Sequence, residues 1–177
     1  MEYKRLEQSL IDIVKEEQAK LGYRKEDVRL YYPLSTLDHF FDTEDTVEEM
    51  AERLTHLPED MKARLGEIAV THKKDRFCFH IPEQGSEYVH EHTAENEFIK
   101  ELVEIVGKHG CKMEDIIALF KKHDKNVFVE EIHNGEFDYL IRFSEENEDP
   151  YYYCFHDEGC HIIYHRFLPE DYEDFGF

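Results

Sequence analysis

"VFVEEIHNGEFDYLIRF" occupies residues 127–143, and its reading decides the fold. Two short runs rich in Val, Ile, Phe and Tyr flank His133-Asn134-Gly135. Such residues favour extended backbone, and Asn-Gly supplies the positive-φ pair of a two-residue type I′ turn. That turn pairs Ile132 with Phe137 and Phe128 with Ile141, which collects the apolar residues on one face. The pattern recurs in "YYYCFH" (151–156) and "CHIIYHRF" (160–167), which flank Asp157-Glu158-Gly159. "SEENEDP" (144–150) joins the two hairpins as a polar loop. The C-terminal third therefore reads as an antiparallel four-stranded meander.

Upstream the spacing is mostly helical. Residues 2–22 set Leu6, Leu10, Ile13, Val14 and Leu21 near one helix face, and Gly22 stops it. In "RLYYPLSTLDHFF" (29–41), Pro33 forbids a continuing helix, and Ser35 with Asp38 marks the start of a short new one. Thr46 and Glu49 make a capping box for a helix whose face is Val47, Met50, Ala51 and Leu54. A short turn follows from Pro58 to Gly66. The period then becomes two: Ile68 and Val70, then Phe77, Phe79 and Ile81, alternate with polar residues around "HKKD" (72–75), a hairpin that Pro82 and Gly85 end. Two further helices are expected over about 94–106 and 113–122, separated by "GKHG" (107–110). The fold class is α+β: a helical N-terminal half with a β-hairpin, two further helices, then the meander. Residues 1–177 read as one α+β domain, with no linker or internal repeat.

Composition bounds the function. Aromatic residues, 13 Phe and 11 Tyr, are enough for a core although the mean hydropathy is −0.70. Carboxylates outnumber Lys plus Arg by 42 to 21, a net charge of −21. That field repels phosphate backbones and anionic lipids, so nucleic acid and membrane surfaces are poor partners. A basic protein or a divalent cation is attracted. There is no 18-residue apolar run and the charged N-terminus lacks a signal-peptide core, so the location expected is cytoplasmic. Cys78, Cys111, Cys154 and Cys160 are then expected as free thiols, and no Cys-x-x-Cys suggests redox chemistry.

Cys-Phe-His occurs twice, at 78–80 and 154–156. On a strand the Cys and His of each pair share a side. With Phe77, Phe79 and Ile81 facing the core, Cys78 and His80 point away from it. A three-residue turn in the last hairpin would oppose His156 to Cys160 and gather Cys154, His156 and Cys160, which Cys78 or His80 could complete as a zinc tetrahedron. A two-residue turn would instead group Cys154 and His156 with His161 and His165. The metal residues expected on this reading are Cys78, His80, Cys154, His156 and Cys160. Structural zinc sites usually have closer Cys spacing, so the competing reading is favoured: Cys as small buried hydrophobes and His as half-buried strand residues.

Twelve histidines are many for this length. His56, His109 and His123 fall near helix C-termini, where the dipole favours a cation, and His133 falls in a turn. His90-Glu91-His92 would be a ligand pair on a strand but would diverge on a helix, and it is not a His-Glu-x-x-His protease motif. Gly107-x-x-Gly110 is a weak match to a nucleic-acid-binding Gly-x-x-Gly loop, and ordinary helix capping explains it. The acidic runs "DTEDTVEE", "SEENED" and "PEDYEDF" read as solvated caps and loops, or more sharply as an acidic docking surface. The C-terminal "PEDYEDFGF" could dock in a basic groove or fold as a terminal turn on its own domain. No phosphate loop, dinucleotide fingerprint or Gly-x-Ser-x-Gly elbow is present, and no catalytic residue is assigned.

Taken together, "YYPLSTLDHFF", "RFCFHIPEQGSEYVHEH", "FDYLIRF" and "YYYCFHDEGCHIIYHRF" resemble an uncharacterised family, a domain of unknown function, of anaerobic gut bacteria. The resemblance covers nearly the whole chain. It implies a bacterial, cytosolic, single-domain protein and brings no activity, cofactor or catalytic residue. The function expected is an acidic, non-enzymatic protein-binding module. The alternative is a zinc-binding domain or metal-dependent enzyme using the strand Cys/His residues, with Glu91 or Asp157 as its carboxylate. A pH sensor built on the histidines is a third reading.

Overall fold

The computed structural model describes residues 3–174, and the chain divides into two compact units, Met1–Glu95 and Asn96–Phe177. Among the described residues the fold is α+β, with eight helices, a three-stranded sheet and a C-terminal four-stranded antiparallel sheet.

In the N-terminal unit, α1 (Lys4–Leu21) buries Leu6, Leu10 and Val14. Leu21 is exposed instead of inward, because the helix ends at Gly22, whose φ of 75° only glycine adopts readily. β1 (Val28–Pro33) is a strand where the sequence reading places none; it buries Leu30 and Tyr32 and exposes Arg29 and Tyr31. α2 (Leu34–Phe41) starts directly after Pro33, which holds the N-cap position. Ser35 and Asp38 therefore do not cap it; Asp38 accepts from the Thr43 hydroxyl and the Asp45 amide. α3 (Val47–Leu54) has both halves of the Thr46–Glu49 capping box. Between Pro58 and Gly66 a helix, α4 (Glu59–Leu65), stands in place of the expected turn.

The hairpin is present as β2 (Ala69–Lys73) and β3 (Arg76–Ile81). β3 is central in an antiparallel sheet of order β1-β3-β2. Phe77, Phe79 and Ile81 are fully buried on one face, each contributing on the order of 1.5–3 kcal/mol. Beneath that face the buried hydroxyls of Ser9 and Tyr32 lie 2.9 Å apart. The hairpin ends at Pro82 as expected, and Pro82 also opens α5 (Glu83–His92). Gly85 sits in its first turn because a Cβ there would overlap the Leu65 carbonyl oxygen and the Ile81 side chain.

In the C-terminal unit, α6 (Glu97–Val106) starts at an Asn96 cap that accepts from the Ile99 amide at 3.0 Å. α7 (Met113–His123) follows. The meander is β4 (Phe128–Glu131), β5 (Tyr139–Arg142), β6 (Tyr152–Asp157) and β7 (Ile162–Phe167), in that spatial order. The first hairpin is one residue out of the expected register: Phe128 pairs with Arg142, not Ile141. The Asn134 side chain accepts from the amides of Glu136 and Phe137, which lengthens the turn. A one-residue slip changes the face, so Phe128 is largely exposed, under the Arg142 guanidinium at 4.7 Å.

One face of this sheet carries Tyr153 and Phe155 into a cluster with Phe98, Phe120 and Phe143, rings mostly edge-on at 4.7–6.3 Å. The other buries Leu140 and Cys154 with Phe137; the partly buried Phe167 and Tyr172 close over them. Tyr172 comes from α8 (Pro169–Asp174), so "PEDYED" folds back on its own unit, and the last residues of "PEDYEDFGF" lie outside the described residues.

Candidate functional site

The two Cys-Phe-His pairs fall in different units. Cys78 and His80 lie on the open face of the β1-β3-β2 sheet, as the alternation requires. Cys78 stands between Tyr31 and Thr71 in the ladder, and His80 between Arg29 and Ala69. The His80 ring is held by Asp27, Nε2 to Oδ2 at 3.0 Å, and the second oxygen of that carboxylate accepts from the Glu83 amide.

The last hairpin takes the two-residue turn, at Gly159-Cys160, and not the three-residue turn that would gather Cys154, His156 and Cys160. His156 opposes Ile163, not Cys160, and Cys154 opposes His165. Residues 158–161 form the turn, closed by the Glu158 amide donating to the His161 carbonyl. Cys160 is therefore exposed in that turn. Cys154 is fully buried among Phe137 and Leu140, and burial pushes its thiol up to about 12. A thiol in that setting stays protonated at neutral pH and ligates poorly. Among the described residues, no group of three or more His, Cys, Asp or Glu is placed to hold a metal ion.

His156 takes part in a different arrangement, one that sequence spacing did not single out. Asp138 accepts from the Asp157 amide at 2.9 Å and lies 3.2 Å from His133 Nδ1 and 3.0 Å from His156 Nδ1. The His156 contact has the distance of an ion pair without the angle of a hydrogen bond. His133 also reaches Glu131 at 3.4 Å. The Asp157 amide first, then the His133 ring, hold the Asp138 carboxyl below its ordinary range. Asp138 and then Glu131 raise the His133 imidazole.

His90 and His92 are on α5, so their rings diverge: His90 stacks on Tyr23 at 4.0 Å and His92 on Tyr88 at 4.8 Å. Lys108 and His109 of the Gly-x-x-Gly segment are exposed, and the Gly110 amide donates to the Cys160 carbonyl as an ordinary loop contact.

Two charged surfaces remain. Glu44, Glu48 and Glu52 are exposed along α3 and its lead-in, and none forms an ion pair among the described residues. Arg29, Lys73 and Arg76 project from the open sheet face, with Tyr31 58% exposed between them, around a hollow of about 660 Å³. Sequence reasoning missed this basic face because it missed β1; the alternation in "VRLYY" (28–32) was the available signal.

Among its described residues this α+β chain carries four free thiols and no group of side chains placed to hold a metal ion. Its sequence places it in a family. Residues 3–176 match the family described as "Domain of unknown function, E. rectale Gene description" (DUF3877), and the chain belongs to that family. No curated protein and no solved structure matches the chain. No helix among the described residues is long and apolar enough to cross a membrane.

Proposed function

We propose that this protein is a non-enzymatic, cytoplasmic protein-binding module whose acidic surface receives a basic partner protein. What carries this reading is the α3 ridge. Glu48 and Glu52 are four residues apart on one exposed helix face, and Glu44 stands just before the helix. Like charges at that spacing oppose helix formation, and the neighbouring Asp45 is already paired with Arg53 at 2.8 Å. Three carboxylates left without a counter-charge present a site for cations from outside. Four free thiols support a reducing compartment, and the overall charge of −21 disfavours nucleic acid and anionic membrane as partners.

The test is capture from native lysate on immobilised wild-type protein and on a Glu44→Gln/Glu48→Gln/Glu52→Gln variant. A basic protein retained by the wild type at about 50 mM salt, released by about 300 mM salt and lost on the variant supports the reading. The variant keeps most of the net charge, so equal retention on both proteins would show generic ion exchange and sink it.

A further inference from the structure

We propose that the open face of the β1-β3-β2 sheet docks an extended acidic segment of a partner protein, one with two carboxylates four residues apart and an apolar residue midway. The residues are separate from the α3 ridge, so the proposal does not rest on the acidic-surface reading.

The antiparallel register lays the open face out in rows. Arg29 stands beside His80, Tyr31 beside Cys78 beside Thr71, and Arg76 beside Lys73. Arg76 and His80 are four residues apart on β3, so the two cationic rows are separated by roughly 13 Å at about 3.3 Å per residue. Between them lies a weakly polar platform whose main element is the exposed Tyr31 ring. The same period governs a peptide laid along the strands: its residues i, i+2 and i+4 face the sheet over the same distance. Carboxylates at i and i+4 would meet Arg29 and Arg76, and an apolar i+2 would cover Tyr31 and Cys78.

Charge complementarity selects the occupant. Carboxylates outnumber cations twofold in this chain, and Arg5, Arg53, Arg64, Lys20 and Lys25 each hold at least one. Arg29, Lys73 and Arg76 hold none among the described residues. Among the described residues, the one ion pair on this face is His80 with Asp27, whose other oxygen is committed to the Glu83 amide. Three free cations collected on one sheet face, in so acidic a chain, are suited to carboxylates from elsewhere. A nucleic acid strand would bring a charge with every residue into the field of −21, whereas a peptide brings two. The hollow on this face is open to solvent, which suits an extended chain better than a small anion needing enclosure.

The experiment uses the full chain and a fluorescent peptide containing Glu-Thr-Phe-Thr-Glu, read by anisotropy. Its controls are the Gln-Thr-Phe-Thr-Gln peptide and a labelled oligothymidine. Arg29→Glu/Arg76→Glu reverses the two ends of the face; Lys4→Glu/Arg24→Glu makes the same charge change at exposed positions off it. Far-UV circular dichroism checks that each variant is folded. The expected result is binding of the Glu peptide that weakens about tenfold or more with Arg29→Glu/Arg76→Glu, and again on raising salt from about 50 to about 500 mM. The off-face variant should stay within about twofold of wild type, and the Gln peptide should bind as weakly as the face variant allows. Equal binding by both variants, no binding of the Glu peptide at about millimolar protein, or tighter binding of the oligothymidine would each overturn the proposal.

Discussion

Cys154 distinguishes packing from metal ligation, and a series of substitutions there separates them quantitatively. Its sulfur is fully buried against Phe137 and Leu140, with Phe167 and Tyr172 beyond. Cys154→Ser keeps the shape but sets a hydroxyl in an apolar pocket, which costs about 1–3 kcal/mol. Cys154→Ala removes one heavy atom and leaves a small void, about 1 kcal/mol. Cys154→Val keeps the site apolar but adds one heavy atom, which the partly buried Phe167 and Tyr172 must accommodate, at a cost of about 1 kcal/mol. The packing reading thus predicts that Ser is the worst substitution. A ligand reading predicts that all three are equally bad, since none can bind a metal.

The scale of the melting shift also tests domain organisation. For one cooperative transition of 177 residues, the unfolding entropy is about 0.37 kcal/mol/K, so 2 kcal/mol moves Tm by about 5 °C. If Asn96–Phe177 melted alone, the same change would move its transition by about 12 °C and leave a second transition unmoved. We expect one transition and the smaller shift. Thermal unfolding by circular dichroism, with elemental analysis of the dialysed protein, is the assay. The reasoning fails if Val is as damaging as Ser and about one zinc per chain disappears with each substitution.

Three further outcomes follow from single contacts. The Tyr153 hydroxyl is buried and donates to Asp149 at 2.7 Å, so Tyr153→Phe should lower stability by about 1.5–3 kcal/mol in urea titration; an unchanged midpoint would show the bond is dispensable. Gly85→Ala should cost about 1–3 kcal/mol by forcing α5 off the Leu65 carbonyl, and a neutral result would mean the approach is looser than described. Asp138→Asn keeps the acceptor for the Asp157 amide but removes the charge beside His133. The depressed Asp138 pKa gives stability present above the ordinary carboxyl range and lost as pH falls through its folded value; the raised His133 pKa gives stability complete below about pH 6.5 and lost as pH rises through its folded value. The melting-temperature gap between wild type and variant should therefore be widest near pH 5–6 and narrow toward about pH 8 and pH 3. A gap constant over that range would remove the charge coupling.

What the sequence disclosed was local chemistry, and what it hid depended on partners far along the chain. The Thr46–Glu49 capping box and the "HKKD" hairpin are each written within a few residues, and both stand in the fold. β1 is stabilised by β3, some 50 residues later, so no short window announces it. Pro82 and Gly85 read as terminators, yet Pro also begins helices, and Gly85 answers to the backbone of Leu65, which only the tertiary structure brings near. The same Pro-start, Gly-end pattern at Pro58 and Gly66 was legible and would have given α4. For the candidate site, the outward direction of Cys78 and His80 followed from alternation, because the face opposite them is plainly apolar. Cys154 defeated the same logic: α8 and Phe167 cover the second face of β6, so Tyr153, Cys154 and Phe155 are buried in succession and alternation carries no signal.

The histidine excess has a physical account that needs no metal. An imidazole is both a flat aromatic ring and a donor to carboxylates, and this chain is rich in both partners. His90 and His92 stack on tyrosines, His72 lies 5.3 Å from the Phe77 ring, and His165 meets Phe137 edge-on. His123 uses both properties at once, its ring against Phe98 and its Nε2 3.1 Å from Glu101. His80, His133 and His156 are each held by a carboxylate. A divalent cation arriving at such a surface would compete with rings already stacked or paired. Among the described residues no three such groups stand together, and stacking and ion pairing account for the imidazoles that are placed.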